Sequence, residues 1–345
     1  MRAPILTIRP LGAPWSCMDP FLLCAHHVDH YPRGDGQYGP AAALAGHRPG
    51  QDFFHPDGWN LYHGTAVPGF PAHPHRGFET ITIVRRGLVD HSDSLGASAR
   101  YGAGDVQWLT AGSGVVHAEM FPLLDTQQPN PLELFQIWLN LPADKKLAPP
   151  RFSMSWAEDF SRYRHTDAAG ALTTVLCVAG RVDPEQAAPP APPADSWAAD
   201  ARNEVAIWLV SMAPGARWTL PPVRCATTRR SLYFFDGGTL RIGEQAVAAG
   251  HALQLDGSAP VALENGNAPA EFLLLQGAPI GQPVAQSGPF VMNSERELQQ
   301  AFADFHQTRF GGWHWASSGP VHGSDPARFL RHPDGRIERP SHADR

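Results

Sequence analysis

Long apolar runs, paired cysteines and an excess of positive charge are all missing from this chain, and each absence removes a class of function. No stretch approaches 18 consecutive apolar residues, so a transmembrane helix is not expected. The N-terminus, MRAPILTIRPLGAPWSC, lacks the basic start, apolar block and small-residue cleavage site of a secretory signal, which makes a soluble chain resident in the cytoplasm the default expectation. The four cysteines, Cys17, Cys24, Cys177 and Cys225, are far apart and form no C-x-x-C pair, so neither a zinc ribbon nor a disulfide framework is indicated and they read as buried or idle thiols. With 27 Lys and Arg against 33 Asp and Glu, the net charge of -6 argues against a direct nucleic-acid interface, which needs a basic face. The glycine doublets match neither the phosphate-loop nor the dinucleotide pattern. Ser113 stands in GSG without a G-x-S-x-G elbow or a convincing base, which disfavours a serine hydrolase.

What is present is glycine, proline and short β-branched runs. The 33 glycines and 34 prolines of the 345 residues punctuate segments of strand length, the pattern of an all-β sandwich or barrel. Between residues 78 and 140 strands are expected at Phe78 to Arg85, Gly87 to Ser92, Asp105 to Thr110, Val115 to Met120 and Leu134 to Asn140. A second series is expected at Thr173 to Ala179, Glu204 to Met212, Arg217 to Leu220, Ser231 to Phe235, Thr239 to Ile242, Ala252 to Asp256 and Glu271 to Gln276. YFFDGGTLRIG echoes the strand, turn, strand rhythm of TIVRRGLVDHS, which suggests two antiparallel jelly-roll barrels in tandem with few helices. The expected domains are 1–150, 151–308 and a C-terminal extension 309–345, with DPEQAAPPAPPAD (183–195) as an extended Pro/Ala spacer. One helix is convincing: Ser294 to Gln307, with Ser294 as N-cap, Glu297 completing a capping box, and Leu298, Ala301, Phe302 and Phe305 on one face.

The chemistry is carried by two spaced pairs. In PAHPHRGFETITIV, His73 and His75 are one residue apart, so on a strand both side chains leave the same face, about 7 Å apart along the chain. In AGSGVVHAEMF, His117 and Glu119 repeat that spacing. The glycine-rich GAGDVQWLTAGSGVVH between them can bring the pairs onto adjacent strands. Three nitrogens and one oxygen then suit a first-row transition metal, with one or two coordination positions left for water or substrate; Fe, Mn, Co, Ni, Cu and Zn all fit such a set. A lone H-x-H in a β-rich chain is more often surface decoration, and only the second pair changes that balance. Other histidines carry weaker signals. His26, His27 and His30 lie in CAHHVDHYP, where His26 and His30 would share a helix face and the group could line a pocket mouth. His63 could stand behind the ligands, and His314 and His322 read as solvent-exposed.

These residues resemble the pirin family of the cupin superfamily. The resemblance is carried by MDPFLL, HPHRGFETITIV, DSLG, GDVQWLTAGSGVVHAEM, LFQIWLNLP and GPFVMN, and it covers most of residues 15 to 305. The departures are an insertion around 34–57, the Pro/Ala loop and the extension beyond about residue 308. The resemblance implies a bicupin with one mononuclear metal, usually iron, in the N-terminal barrel on three histidines and one glutamate; His73, His75, His117 and Glu119 occupy those positions. The second barrel has no H-x-H and should be metal-free. Some members of the family open the flavonol ring with O2 and release carbon monoxide, which makes a small aromatic substrate and O2 the expected partners and Glu119 the expected base. Phe21, Trp108, Phe121, Phe135 and Trp138 could stack a flat substrate, although barrel aromatics are more often plain core. The alternative function is an iron-dependent redox-sensing regulator that binds a protein partner. A monomer is the expected state.

Overall fold

The computed structural model of the protein describes residues 3–341 and divides into two compact units, each built from discontinuous segments. One comprises the chain up to Ala25, Ile137–Pro142 and Asp159–Gly281; the other comprises His26–Gln136, Ala143–Glu158 and the chain from Gln282 onward. The units are therefore not contiguous blocks such as 1–150 and 151–308. The physical reason is strand pairing by the chain's outer segments. Ile5–Pro10, to which no strand was assigned from sequence, pairs antiparallel with His251–Leu255. Phe329–Arg331, in the tail left without a fold, pairs antiparallel with Ser98–Arg100.

The first unit contains a seven-stranded sheet in the order Ile5–Pro10, His251–Leu255, Arg229–Asp236, Ala270–Gly277, Ala206–Met212, Leu172–Ala179, Arg162–Thr166. A four-stranded sheet, Arg217–Leu220, Val261–Asn265, Thr239–Ile242, Gln245–Ala248, completes it. The expected second series of strands is reproduced to within two residues at each end. Trp208, Val210, Phe234 and Phe272 from the larger sheet share a core with Trp218, Leu240 and Leu263 from the smaller one. Alternation explains this: in Arg217–Leu220 the burial runs exposed, buried, exposed, buried.

The second unit is built mainly on two larger sheets, with a two-stranded ribbon at Ala285–Ser287 and Phe290–Met292. One has six strands in the order Ile337–Glu338, Phe329–Arg331, Ser98–Gly102, Leu88–Asp93, Val115–Met120, Gly69–His75. The other runs Arg151–Ser155, Val106–Thr110, Phe78–Arg86, followed by Asn130–Asn140 and Phe21–Tyr31, strands whose residues are divided between the two units. Tyr31, Val84 and Leu134 from the latter sheet pack with Val89, Ala99 and Tyr101 from the former. The sheets do not close into hydrogen-bonded barrels; the fold is the double-sheet form of the jelly roll, in which the two layers cover each other's apolar faces. The Pro/Ala stretch 183–195 carries no strand. No helix among the described residues is long and apolar enough to cross a membrane.

The helix forms at Glu295–Thr308, where Ser294 Oγ accepts the Glu297 N–H at 3.3 Å. The Glu297 carboxylate reaches the Asn293 N–H at 2.9 Å, one residue earlier than a standard capping box would have it. Leu298 and Ala301 are buried with Phe290 and Met292. The helix is fastened to the end of the Gly69–His75 strand through Arg76, which donates to Asp304 Oδ2 at 2.6 Å and to the Ser113 carbonyl at 2.7 Å.

The tail is held by a buried charge pair. Arg100 and Asp90 are fully buried and doubly bonded, at 2.7 and 2.6 Å, on neighbouring strands. The guanidinium spends its other N–H groups on the backbone carbonyls of Gly323 and Asp325, and Asp90 Oδ2 accepts the His322 N–H at 2.8 Å. Removing one partner of such a pair leaves an uncompensated charge, so Arg100→Ala should cost about 3–5 kcal/mol. It should also make the segment after Gly312 sensitive to limited proteolysis; a variant with wild-type Tm and an unchanged cleavage pattern would contradict this account of the tail.

Candidate metal centre

The Gly69–His75 strand pairs antiparallel with Val115–Met120 so that His73 stands directly opposite His117 and His75 opposite Val115. The register slips between Phe70 and His73, a bulge of the kind that re-aims side chains beside active sites. Close approach at the strand's start needs Gly69: its φ is +129°, and a Cβ there would stand 2.4 Å from the Glu119 carbonyl oxygen.

This pairing gathers His73, His75 and His117 so that one ring nitrogen from each lies within 4.8 Å of the others. His75 and His117 are buried and His73 is partly so. The His73 Nδ1 lies 2.9 Å from the Pro71 carbonyl oxygen, an acceptor only, so its proton sits there and the Nε2 lone pair faces inward. That Nε2 is 3.1 Å from the Nε2 of His75, whose own Nδ1 is 3.4 Å from the Pro289 carbonyl. Both ring nitrogens of His117 are buried without a hydrogen-bond partner. Three converging imidazoles, one of them with both buried nitrogens unmet, are an arrangement that a cation completes.

Glu119, also buried, stands beside the cluster with Oε2 3.9 Å from His117 Nε2. Its Oε2 accepts from Gln136 Nε2 at 2.7 Å, and its Oε1 accepts from Thr82 Oγ1 at 3.3 Å and from the Tyr101 hydroxyl at 3.4 Å. Burial raises the carboxyl's pKa above the ordinary range even though these donors oppose the shift. Burial has the opposite sign for the imidazoles. It lowers the His73 pKa to about 4 and pushes those of His75 and His117 well down, which keeps the rings neutral, as metal ligation requires.

One residue beside the cluster escaped the sequence reading. His91, fully buried, is the cross-strand partner of Glu119, and its ring lies 5.5 Å from that of His117. It is fixed on both sides, with Nδ1 2.8 Å from Gln107 Nε2 and Nε2 3.1 Å from Asp93 Oδ2. The H-x-D spacing of His91 and Asp93 was the available signal, another same-face pair on a strand. His322 is a correction: rather than facing solvent it is largely buried, with Nε2 2.8 Å from the His91 carbonyl oxygen, because the tail closes on that strand. His314 is exposed as expected.

His26, His27 and His30 lie on a strand, Phe21–Tyr31, and not on a helix. Alternation therefore separates neighbours: His26 stacks on Phe135 at 4.2 Å and meets Glu133 at 3.2 Å, while His27 Nδ1 lies 2.8 Å from the Tyr62 hydroxyl. His63 is exposed, its ring 5.6 Å from that of Phe70. Of the aromatics expected to stack a substrate, Trp108, Phe121 and Phe135 are buried core, and Phe21 and Trp138 belong to the other unit.

Two family models match the sequence. Residues 49–139 match the model described as Pirin and residues 207–311 the Pirin C-terminal cupin domain. The chain belongs to the pirin family of bicupins. It is 36% identical over 242 residues to a provisionally named quercetin 2,3-dioxygenase of Pseudomonas aeruginosa, covering 70% of this chain and 79% of that one. Pirin-1 of Arabidopsis thaliana is 32% identical over 250 residues (70% and 78% covered), and human pirin 29% over 258 (72% and 80%). Among solved structures, the quercetin 2,3-dioxygenase of Acinetobacter baumannii superposes with a TM-score of 0.66 over 90% of this chain and 96% of that one; at 24% identity this likeness shows the fold alone.

The depressed imidazole pKa values have a consequence for the metal-stripped chain. Below pH 6.5 the unfolded chain takes up protons on these histidines that the folded chain refuses, so stability falls as pH drops from about 6.5 towards 4 and the His73 contribution is gone below that value. Melting curves of chelator-treated protein between pH 7 and 4 should show this decline, and His73→Gln should make it shallower; a slope identical in wild type and variant would contradict it.

Proposed function

We propose that His73, His75, His117 and Glu119 hold one mononuclear first-row metal ion, iron(II), and that the loaded protein is a dioxygenase cleaving flavonol-type, quercetin-like substrates with O2. The observation that carries the reading is the convergence of three neutral imidazoles around His117, whose two buried ring nitrogens have no hydrogen-bond partner. The names borne by the bacterial relatives point the same way. Bound there, the ion would supply a Lewis-acid position for a flavonol 3-hydroxyl and for O2.

The chain's own part is to fix the ligands and move a proton. The Pro71 carbonyl sets the His73 tautomer, and the bulged register puts His73 across from His117. Glu119 is the base: its carboxylate, raised in pKa by burial, takes the proton from the substrate hydroxyl. Gln136, Thr82 and Tyr101 aim it, each donating to one of its oxygens. Burial of the cluster excludes bulk water from the reacting atoms.

Anaerobic reconstitution with Fe(II), followed by O2 consumption and CO release on quercetin, tests this directly. Turnover should require iron and vanish in His75→Ala together with iron retention. Glu119→Gln should lower kcat per bound iron by about 10²–10⁴-fold, the usual worth of a general base. Full iron retention in both His75→Ala and Glu119→Ala would sink the ligand assignment. Bound iron without turnover would remove the dioxygenase reading and leave the iron-dependent binding role.

A further inference from the structure

The loop between the Phe21–Tyr31 and Gly69–His75 strands holds a second cluster of donors. His47, His55 and Asp57 each offer one ligand atom within 4.8 Å of the other two. His47 is the anchor. Its side chain is wholly buried between the His55 ring, 3.7 Å away, and the Trp59 ring, 3.9 Å away. Its Nδ1 lies 2.7 Å from Asp52 Oδ2, a carboxylate that also accepts the Leu61 N–H. The carboxylate holds the proton on Nδ1, so Nε2 carries the lone pair, and that buried Nε2 has no hydrogen-bond partner. A carboxylate behind one imidazole nitrogen with an open lone pair on the other is the arrangement by which proteins orient a metal-bound histidine.

Asp57 lies beside both imidazoles. Asp57 Oδ2 is 4.0 Å from His47 Nε2 and 3.7 Å from His55 Nδ1. Ligands 2.0–2.2 Å from one tetrahedral zinc lie about 3.4 Å apart, so Asp57 stands within a few tenths of an ångström of ligand spacing from each imidazole, and His55 has to reorient to complete the set. The rings are within 20° of parallel, so His55 must also turn about its Cβ–Cγ bond and release the long 3.3 Å bond that its Nδ1 accepts from the Asp57 N–H. The supporting loop is pinned: Asn60 Oδ1 accepts the His55 N–H, and the Asn60 side-chain and backbone N–H groups donate to Asp29 at 2.8 and 2.9 Å. Asp57 is half exposed, which gives the ion its entry.

We propose that His47, His55 and Asp57 form a second divalent-metal site, of the zinc class, separate from the three-histidine cluster. Two nitrogens and one carboxylate oxygen suit a borderline ion such as Zn(II) or Co(II) and leave one position for water. Nothing in this inference depends on what the other cluster binds.

The test is metal counting on the chelator-stripped full chain. After equilibration with Zn(II) and removal of loose ions, wild type should hold one more zinc than Asp57→Asn or His55→Ala. In the His73→Ala/His117→Ala background one equivalent of Co(II) should remain, with visible d–d absorption that Asp57→Asn abolishes. Asp52→Asn should weaken this site by about 10–100-fold, as loss of an orienting partner does. Asp57 lies at the surface, so its replacement leaves the fold intact, with circular dichroism as the check. Equal zinc counts in wild type, Asp57→Asn and His55→Ala would overturn the proposal and reduce His47 and Asp52 to a packing contact, whatever the other cluster does.

Discussion

The antiparallel register between Gly69–His75 and Val115–Met120 is the constraint on which the rest of the unit around the three-histidine cluster turns. It sets imidazole against imidazole at His73 and His117, in a layer where burial disfavours protonation of every one of these rings. A register one residue out would send the whole set to the opposite face. The surrounding structure works to hold that register: the bulge before His73, the glycine that lets the strand approach Glu119, and the Arg76 clamp that ties the strand's end to Asp304 of the helix. The polar shell of Glu119 belongs to the same design, since Gln136, Thr82 and Tyr101 come from three different strands and converge on one carboxylate.

Much of this was legible in the sequence because it rests on period and punctuation. Strand positions such as Val115–Met120 and Arg217–Leu220 follow directly from β-rich runs between turn residues. The helix is announced by Ser294 and by the spacing of Leu298 and Ala301. The i and i+2 pairs put His73 with His75 and His117 with Glu119. What was not legible depends on pairing partners far away in the chain. His91 looks like any strand polar residue until Glu119 is seen across from it, and His322 looks like tail until Asp90 and the His91 carbonyl are seen to capture it. The CAHHVDHYP segment misled for another reason. Adjacent histidines at short spacing suit either period, and only the strand pairing decides between them. Closure was over-read too: jelly-roll spacing in sequence does not distinguish two facing sheets from a sealed barrel.

The insertion and the tail, two of the three departures expected from the sequence, are structured in different ways. The insertion forms a compact knot of histidines, Trp59 and carboxylates, tied at its base to Asp29 through Asn60. The tail is added as edge strands and locked by a guanidinium that satisfies a buried carboxylate and two backbone carbonyls at once. In both cases buried polar groups help to fix the chain's course.

The interleaving of the units bears on how the chain is made. Residues 26–136 supply most of the unit that holds the three-histidine cluster early in synthesis, yet the strand that covers Ser98–Arg100 and the carbonyls that satisfy Arg100 come from beyond residue 320. A ribosome finishes the whole of the other unit before it delivers them. The nascent chain therefore carries a sheet with an uncovered edge and an unsatisfied guanidinium through most of translation, an interval in which that edge is open to pairing with another chain and native structure cannot be completed strictly domain by domain.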